Sequence, residues 1–292
     1  MAIQPYHLGL PMWSNRDWNG SLYPPGANSQ NFLKHYSSVF NTVEGNTTFY
    51  ALPSENTVRS WCEQLHGVAQ PNPQADFQFC FKLPKAVTHQ GRLETGQPLT
   101  QFFDRLAPLE NAQGPFMIQL PASFAEPQLN DLAVLIKALP KGLSFAVEVR
   151  HPVFFQKGDA EKRLNGLLMT AGIDRVCFDS RPLFSRQAIT DADRDAQNKK
   201  PRLPVHAIAT AQYPVVRFIG TADGNYNQQY FKPWQAKITQ WISEGRKPFV
   251  FIHTPNNQQA PEHALAVHQQ LSALPGWQPL SMTPPAEQLG IF

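Results

Sequence analysis

Apolar residues along the chain gather into eight short runs separated by stretches with a different rhythm. The runs are HLGLPMW (7–13), FNTVEGNTTF (40–49), FQFCFKLP (77–84), FMIQLP (116–121), SFAVEVR (144–150), RVCFDS (175–180), PVVRFIG (214–220) and PFVFIHTP (248–255). Each is of strand length, and they recur roughly every 30 to 40 residues, about one βα unit each. Between most of them the apolar positions change to helix spacing. Val58, Trp61, Cys62 and Leu65 form one such stripe, and Leu99, Phe102, Phe103 and Leu106 the next. Leu129, Leu132, Leu135, Ile136 and Leu139 follow, then Leu164, Leu167, Leu168 and Ala171, then Trp234, Ile238, Trp241 and Ile242. Phe32, Tyr36, Trp61, Trp234 and Trp241 likewise lie at helix spacing and are expected in the core.

Eight strands alternating with helices predict an α/β chain closed as a (β/α)8 barrel, one domain over 1–292. An open doubly wound sheet is the competing architecture. It usually has fewer strands and a glycine-rich first turn, and no GxGxxG occurs here. One stretch fits neither rhythm. RQAITDADRDAQNKKPRLP, within 181–210, is polar and charged with no clear apolar stripe, and reads as an insertion after the sixth strand, about 184–210.

Composition narrows the class. With 16% charged and 11% aromatic residues in 292, a large buried core is expected. A net charge of +3 permits an anionic partner without demanding one, since dedicated nucleic-acid binders are usually far more basic. Cys62, Cys80 and Cys177 are odd in number, far apart and set among apolar neighbours, as reduced core thiols are. The prolines cluster in loop-like stretches such as LYPPG, QPNPQ and MTPPA. MAIQPYHLGL has no basic region and no long apolar run, so neither a signal peptide nor a membrane span is expected, and the default location is cytoplasmic.

Several strands carry polar residues where a buried strand should hold Val or Ile. Strand side chains alternate between the helix layer and the barrel interior, so apolar neighbours set the parity. If Val43 faces the helices, Glu44 and Asn46 face inward. The same argument turns Lys82, Gln119, Glu148, Arg150 and Arg217 inward. With Val176 and Phe178 outward it also turns Asp179 inward. His253 ends a strand of ambiguous parity. All of these lie at or near C-terminal strand ends, where barrels of this kind carry their active sites. The competing explanation is a structural network of three carboxylates and three cations. Burying so many charges is costly beside apolar packing, so stability alone explains the set poorly.

At these residues the chain resembles the YecE-like family, also called domain of unknown function 72. The resemblance rests on Trp13, WNG (18–20) and LYP (22–24), on FNTVEGNTTFYALP, and on FKLPKAVTHQGRL (81–93), which points to Lys82 and His89. FMIQLPASF, VEVRHPVF and VVRFIG follow in order, and TPNNQQAPEHAL (254–265) closes the pattern, bringing in Asn256. It covers nearly the whole chain and implies a TIM-barrel-like fold without supplying a reaction. The first strand reads LPMW where the pattern has Thr-Ser-Gly before Trp, and Gly45 stands where it has an aliphatic residue.

Three functions suit such a mouth. The first is a hydrolase of phosphate-containing or nucleic-acid substrates. Lys82, Arg150 and Arg217 would hold phosphate, and Glu44, Glu148 or Asp179 would act as base or metal ligand. Trp13, Trp18, Tyr23, Phe49 and Tyr50 would offer stacking surface, while Asn46 and Gln119 would orient the substrate, with His253 and Asn256 as further substrate-binding candidates. Glu44→Gln or Arg217→Ala is then expected to abolish activity and leave the barrel folded. A divalent metal is compatible with that chemistry, but no HxH or HExxH spacing supports it, and the three cations would repel it. The second is a glycoside hydrolase using Glu44 and Glu148 as a pair. The third is a non-catalytic protein with a polar pocket for a small anionic or phosphorylated ligand. Tyr226 and Tyr230 are further candidates for lining the mouth.

Overall fold

A computed structural model describes residues 4–66 and 77–280. The proline-rich QPNPQ and MTPPA stretches lie outside the described residues. All eight expected strands form: β1 (His7–Leu10), β2 (Thr42–Gly45), β3 (Gln78–Phe81), β4 (Phe116–Gln119), β5 (Phe145–Glu148), β6 (Asp174–Asp179), β7 (Val215–Ile219) and β8 (Phe249–His253). They pair in parallel in the order β3-β2-β1-β8-β7-β6-β5-β4. The two ends of that order meet through single bridges. Leu83 N donates to Met117 O at 3.0 Å and Gly114 N to Phe79 O at 2.8 Å. The result is a nearly closed barrel, with its seam between β3 and β4.

Among the described residues ten α-helices surround or cap it: α1 (Phe32–Ser37), α2 (Glu55–His66), α3 (Lys85–Thr88), α4 (Gln97–Leu106), α5 (Leu129–Ala138), α6 (Asp159–Ala171), α7 (Arg181–Phe184), α8 (Asp191–Lys199), α9 (Gly224–Ser243) and α10 (Ala260–Gln270). The apolar stripes turn inward as their spacing requires. Phe32, Tyr36, Trp61, Trp234 and Trp241 are all buried. Helix α6 stops at Gly172, whose φ of 66° is a left-handed conformation that glycine adopts without a Cβ clash. Cys62, Cys80 and Cys177 are all free thiols, Cys62 only half-buried.

The interior of the barrel is apolar below and polar above. Cys80, Met117, Ala146, Val176, Val215, Phe249 and Phe251 fill the lower part, where His7 stacks on Phe249 at 4.1 Å. Gly9 lies so close to β2 that a Cβ there would sit 2.0 Å from Thr42 O. Gly45 faces the helix layer, where a Cβ would strike the Phe81 ring. The ring occupies the space that an aliphatic residue at 45 would need.

The polar stretch after β6 is ordered into α7, α8 and a loop. A capping box starts α8: Thr190 Oγ1 accepts from Asp193 N at 3.1 Å, and Asp193 Oδ2 accepts from Thr190 N at 3.0 Å. Only Asp193 and Ala196 are buried in this helix, too little to make an apolar stripe. The returning loop is pinned outside the barrel. His206 Nδ1 lies 2.5 Å from Glu161 Oε1, and Glu161 also accepts from the buried Arg175 at 2.9 Å. No described helix is long and apolar enough to cross a membrane.

Candidate functional site

The polar layer at the upper end of the barrel is organised around one guanidinium. Arg217, on β7, donates through Nε to Glu44 Oε1 at 2.6 Å and through Nη2 to Glu44 Oε2 at 3.0 Å. Its Nη1 donates to Glu148 Oε2 at 2.5 Å. Glu148 Oε1 accepts from Arg150 Nε at 2.8 Å and Nη2 at 2.7 Å. His253 Nε2 lies 3.0 Å from Glu44 Oε1, and Asn46 Nδ2 donates to Glu44 Oε2 at 3.1 Å and to Pro11 O at 2.8 Å. Arg217 and both glutamates are essentially without solvent exposure.

Burial works against each of these charges, and mutual attraction overrides it. Desolvation alone would raise both carboxyls. The Arg217 charge, helped by the hydrogen bond to His253, holds Glu44 well below the usual carboxylate range, and Arg217 and Arg150 do the same for Glu148. Arg217 is raised in turn by the two carboxylates, against its own burial. His253 goes the other way. Burial outweighs the adjoining Glu44 and lowers it to about 4, so it is neutral at pH 7.

Above this layer opens a cavity of 480 Å³. Asn46, Lys82, Gln119, Arg150, Arg217 and His253 face it, so six of the predicted residues share one wall. Lys82 follows the last residue of β3 and donates to Gln119 Oε1 at 2.9 Å. Burial first, then the Arg217 charge, lowers its ammonium to about 7, against the opposing pull of Glu44 and Glu148. Phe49 and Tyr50 form one rim, with Tyr50 81% exposed. Asp195, Ala196, Lys199 and Lys200, from the end of α8, also line the cavity. Lys199 is paired with Asp195 at 2.8 Å. Lys200, half-buried, is lowered to about 8 by desolvation and by Arg217. These two lysines had no place in the sequence reading. The only signal was the NKK at the end of a stretch whose lack of an apolar stripe hid its helix.

Seven predicted residues fall elsewhere. Asp179 faces outward, not inward. It accepts from Trp234 Nε1 at 2.8 Å and from Arg181 at 2.7 and 2.9 Å. Val176 and Phe178 point into the barrel, the reverse of the expected parity, because the interior itself is apolar at that level. Trp13 is a packing residue, edge-on to Trp61 and Phe79, rather than a stacking platform, and Trp18 and Tyr23 are wholly buried. His89 stands behind the rim, edge-on to Phe49 at 5.0 Å, with Nδ1 2.8 Å from Thr88 Oγ1. Asn256 is exposed, and its neighbour Asn257 lines the cavity instead. Asn257 has φ 60°, its Oδ1 accepts from Thr254 N, and its carbonyl accepts from Trp18 Nε1. Tyr226 pairs with Ser185 and Arg186, away from the cavity lining.

Comparison with known proteins bears on the whole chain. A family model described as "Protein of unknown function DUF72" matches residues 7–288. The chain is 42% identical over 257 residues to UPF0759 protein YecE of Escherichia coli K12, spanning 88% of this chain and 89% of that one. It is 23% identical over 275 residues to UPF0759 protein YunF of Bacillus subtilis 168, spanning 88% and 91%. Among solved structures, a DUF72 family protein from Enterococcus faecalis V583 superposes with a TM-score of 0.68 at 19% identity, covering 91% of this chain and 95% of that one. That likeness speaks to the barrel fold.

Proposed function

This chain belongs to the DUF72 family, and we propose that its barrel mouth binds a small phosphate-bearing molecule. The observation that carries this reading is a charge left over after pairing. Arg217 and Arg150 are matched by Glu44 and Glu148, and Lys199 is matched by Asp195. Lys82 and Lys200 remain facing the cavity, both with their ammonium forms disfavoured. A dianion between them would relieve that penalty, and Arg150, 22% exposed, adds a guanidinium fork for its oxygens. The cavity is of ordinary small-ligand size. The basic residues gather in a pocket rather than along a stripe, which favours a small ligand over a nucleic-acid backbone.

Hydrolysis led by Glu44 or Glu148 finds less support. Both carboxyls are held ionised, so neither carries a proton for a glycosidic oxygen at neutral pH. As bases they are weakened for the same reason. Among the described residues no group of three or more His, Cys, Asp or Glu side chains is placed to hold a metal ion.

Calorimetric titration with inorganic phosphate tests the reading. Saturable binding is expected, weakened about 10-fold by either Arg150→Ala or Lys200→Ala, the loss of one charge-assisted hydrogen bond each. Because phosphate restores the protonated form of Lys200, binding at pH 8 should take up protons, seen as a dependence of the heat on buffer ionisation. No saturable heat, or unchanged affinity in both variants, would remove the mouth as an anion site.

A further inference from the structure

Lys82 serves the anion site as one of two unpaired amines, and its placement suits a further task. Lys82 lies at the floor of the cavity, only 7% exposed, below the rim where Arg150 and Lys200 are better placed to meet a phosphate. Its backbone is fixed on both sides. Its carbonyl accepts from Thr48 Oγ1 at 2.7 Å, its N–H donates to Gly45 O at 3.3 Å, and the next residue bridges the barrel seam to Met117. Its Nζ donates to the neutral amide oxygen of Gln119, because Glu44 and Glu148 are both engaged by Arg217. A lysine meant only to hold an anion or complete an ion-pair network would not need this arrangement. A desolvated amine beside a fixed guanidinium, with a neutral acceptor aligning it, is how a lysine is prepared as a nucleophile.

We propose that Lys82 condenses with the carbonyl carbon of a small aldehyde or ketone that carries a phosphate, the phosphate resting on Arg150 and Lys200. The inference builds on the anion reading of the same pocket. The neutral Nζ attacks the carbonyl carbon, forming the C–N bond as the carbonyl π pair moves to oxygen. Both amine protons leave with that oxygen as one water molecule, giving a neutral imine, and no oxidant or reductant takes part. The lowering of Lys82 to about 7 leaves roughly half of it unprotonated at neutral pH, as the attack requires. Lys200 differs in standing at a helix end on the rim, with no strand or seam to fix it.

The test uses pyridoxal 5′-phosphate as a probe, an aldehyde bearing a phosphate, followed by borohydride reduction, intact mass and peptide mapping. The expected result is one reduced adduct per chain, on the peptide containing Lys82. It should be lost in Lys82→Met and slowed at least 10-fold by excess inorganic phosphate. Mapping on the wild-type protein does not depend on the variant folding. Adducts confined to Lys199, Lys200 or scattered surface lysines would overturn the proposal. So would a Lys82 adduct that phosphate does not protect, since the carbonyl compound would then not be held by its anion. The calorimetric titration separates the two failures. Phosphate binding without a Lys82 adduct removes the imine and leaves the anion site, whereas absence of both removes the site itself.

Discussion

Arg217 sits between two buried carboxylates, and its removal would leave both without their main counter-charge. Sequence reasoning expects Arg217→Ala to spare the barrel, but the geometry argues otherwise. Breaking a buried pair by deleting one partner typically costs about 3–5 kcal/mol. Urea unfolding of Arg217→Ala should show a loss of that order, and a change below about 1 kcal/mol would contradict the central role given to this guanidinium. The pH dependence follows from the same layer. His253 is at about 4 in the fold and near its ordinary value when unfolded, and His268, held by Tyr6 and Gln278, is shifted alike. The unfolded chain therefore takes up protons that the fold refuses, so stability present above pH 6.5 is lost as pH falls towards 4. The His253 share is of the order of 3 kcal/mol. Denaturation midpoints between pH 7 and 4 should fall, and His253→Gln should flatten part of that fall. An unchanged slope in the variant would mean that His253 is not the group titrating.

Strands β2, β5 and β7 were legible in the sequence because each sets an ionised residue between apolar neighbours that pack into the helix layer. Strand β6 was not, because Val176 and Phe178 pack inside the barrel as readily as Val43 packs outside it. An alternation read from apolar residues fails where both faces are apolar, and Asp179, bound to Trp234 and Arg181, shows the consequence. Helix α8 was hidden for a different reason. Its stability rests on a capping box and a few buried atoms, so it lacks the periodic stripe by which helices are found. Thr190→Ala should remove about 1 kcal/mol of local stability. Hydrogen exchange over 191–199 should quicken while β-strand amides stay protected. Uniform protection in the variant would show that the helix is held by contacts other than its cap.

At the scale of the molecule, eight parallel strands bring residues 37 to 209 positions apart in sequence into contact in one layer. Glu44 and His253 meet across β2 and β8, and Glu44 meets Arg217 on β7. The barrel was legible from element count and rhythm, and most of the mouth from strand-end position. The charge that decides what the mouth does was not legible. It depends on which ions are already paired, and pairing is a property of distances. The most direct measurement is an anomalous difference map from a crystal soaked in tungstate, a heavy tetrahedral dianion. The strongest peak is expected in the barrel mouth, within bonding distance of Arg150, Lys82 and Lys200. Tungsten bound elsewhere, with the mouth holding only water, would contradict the anion reading.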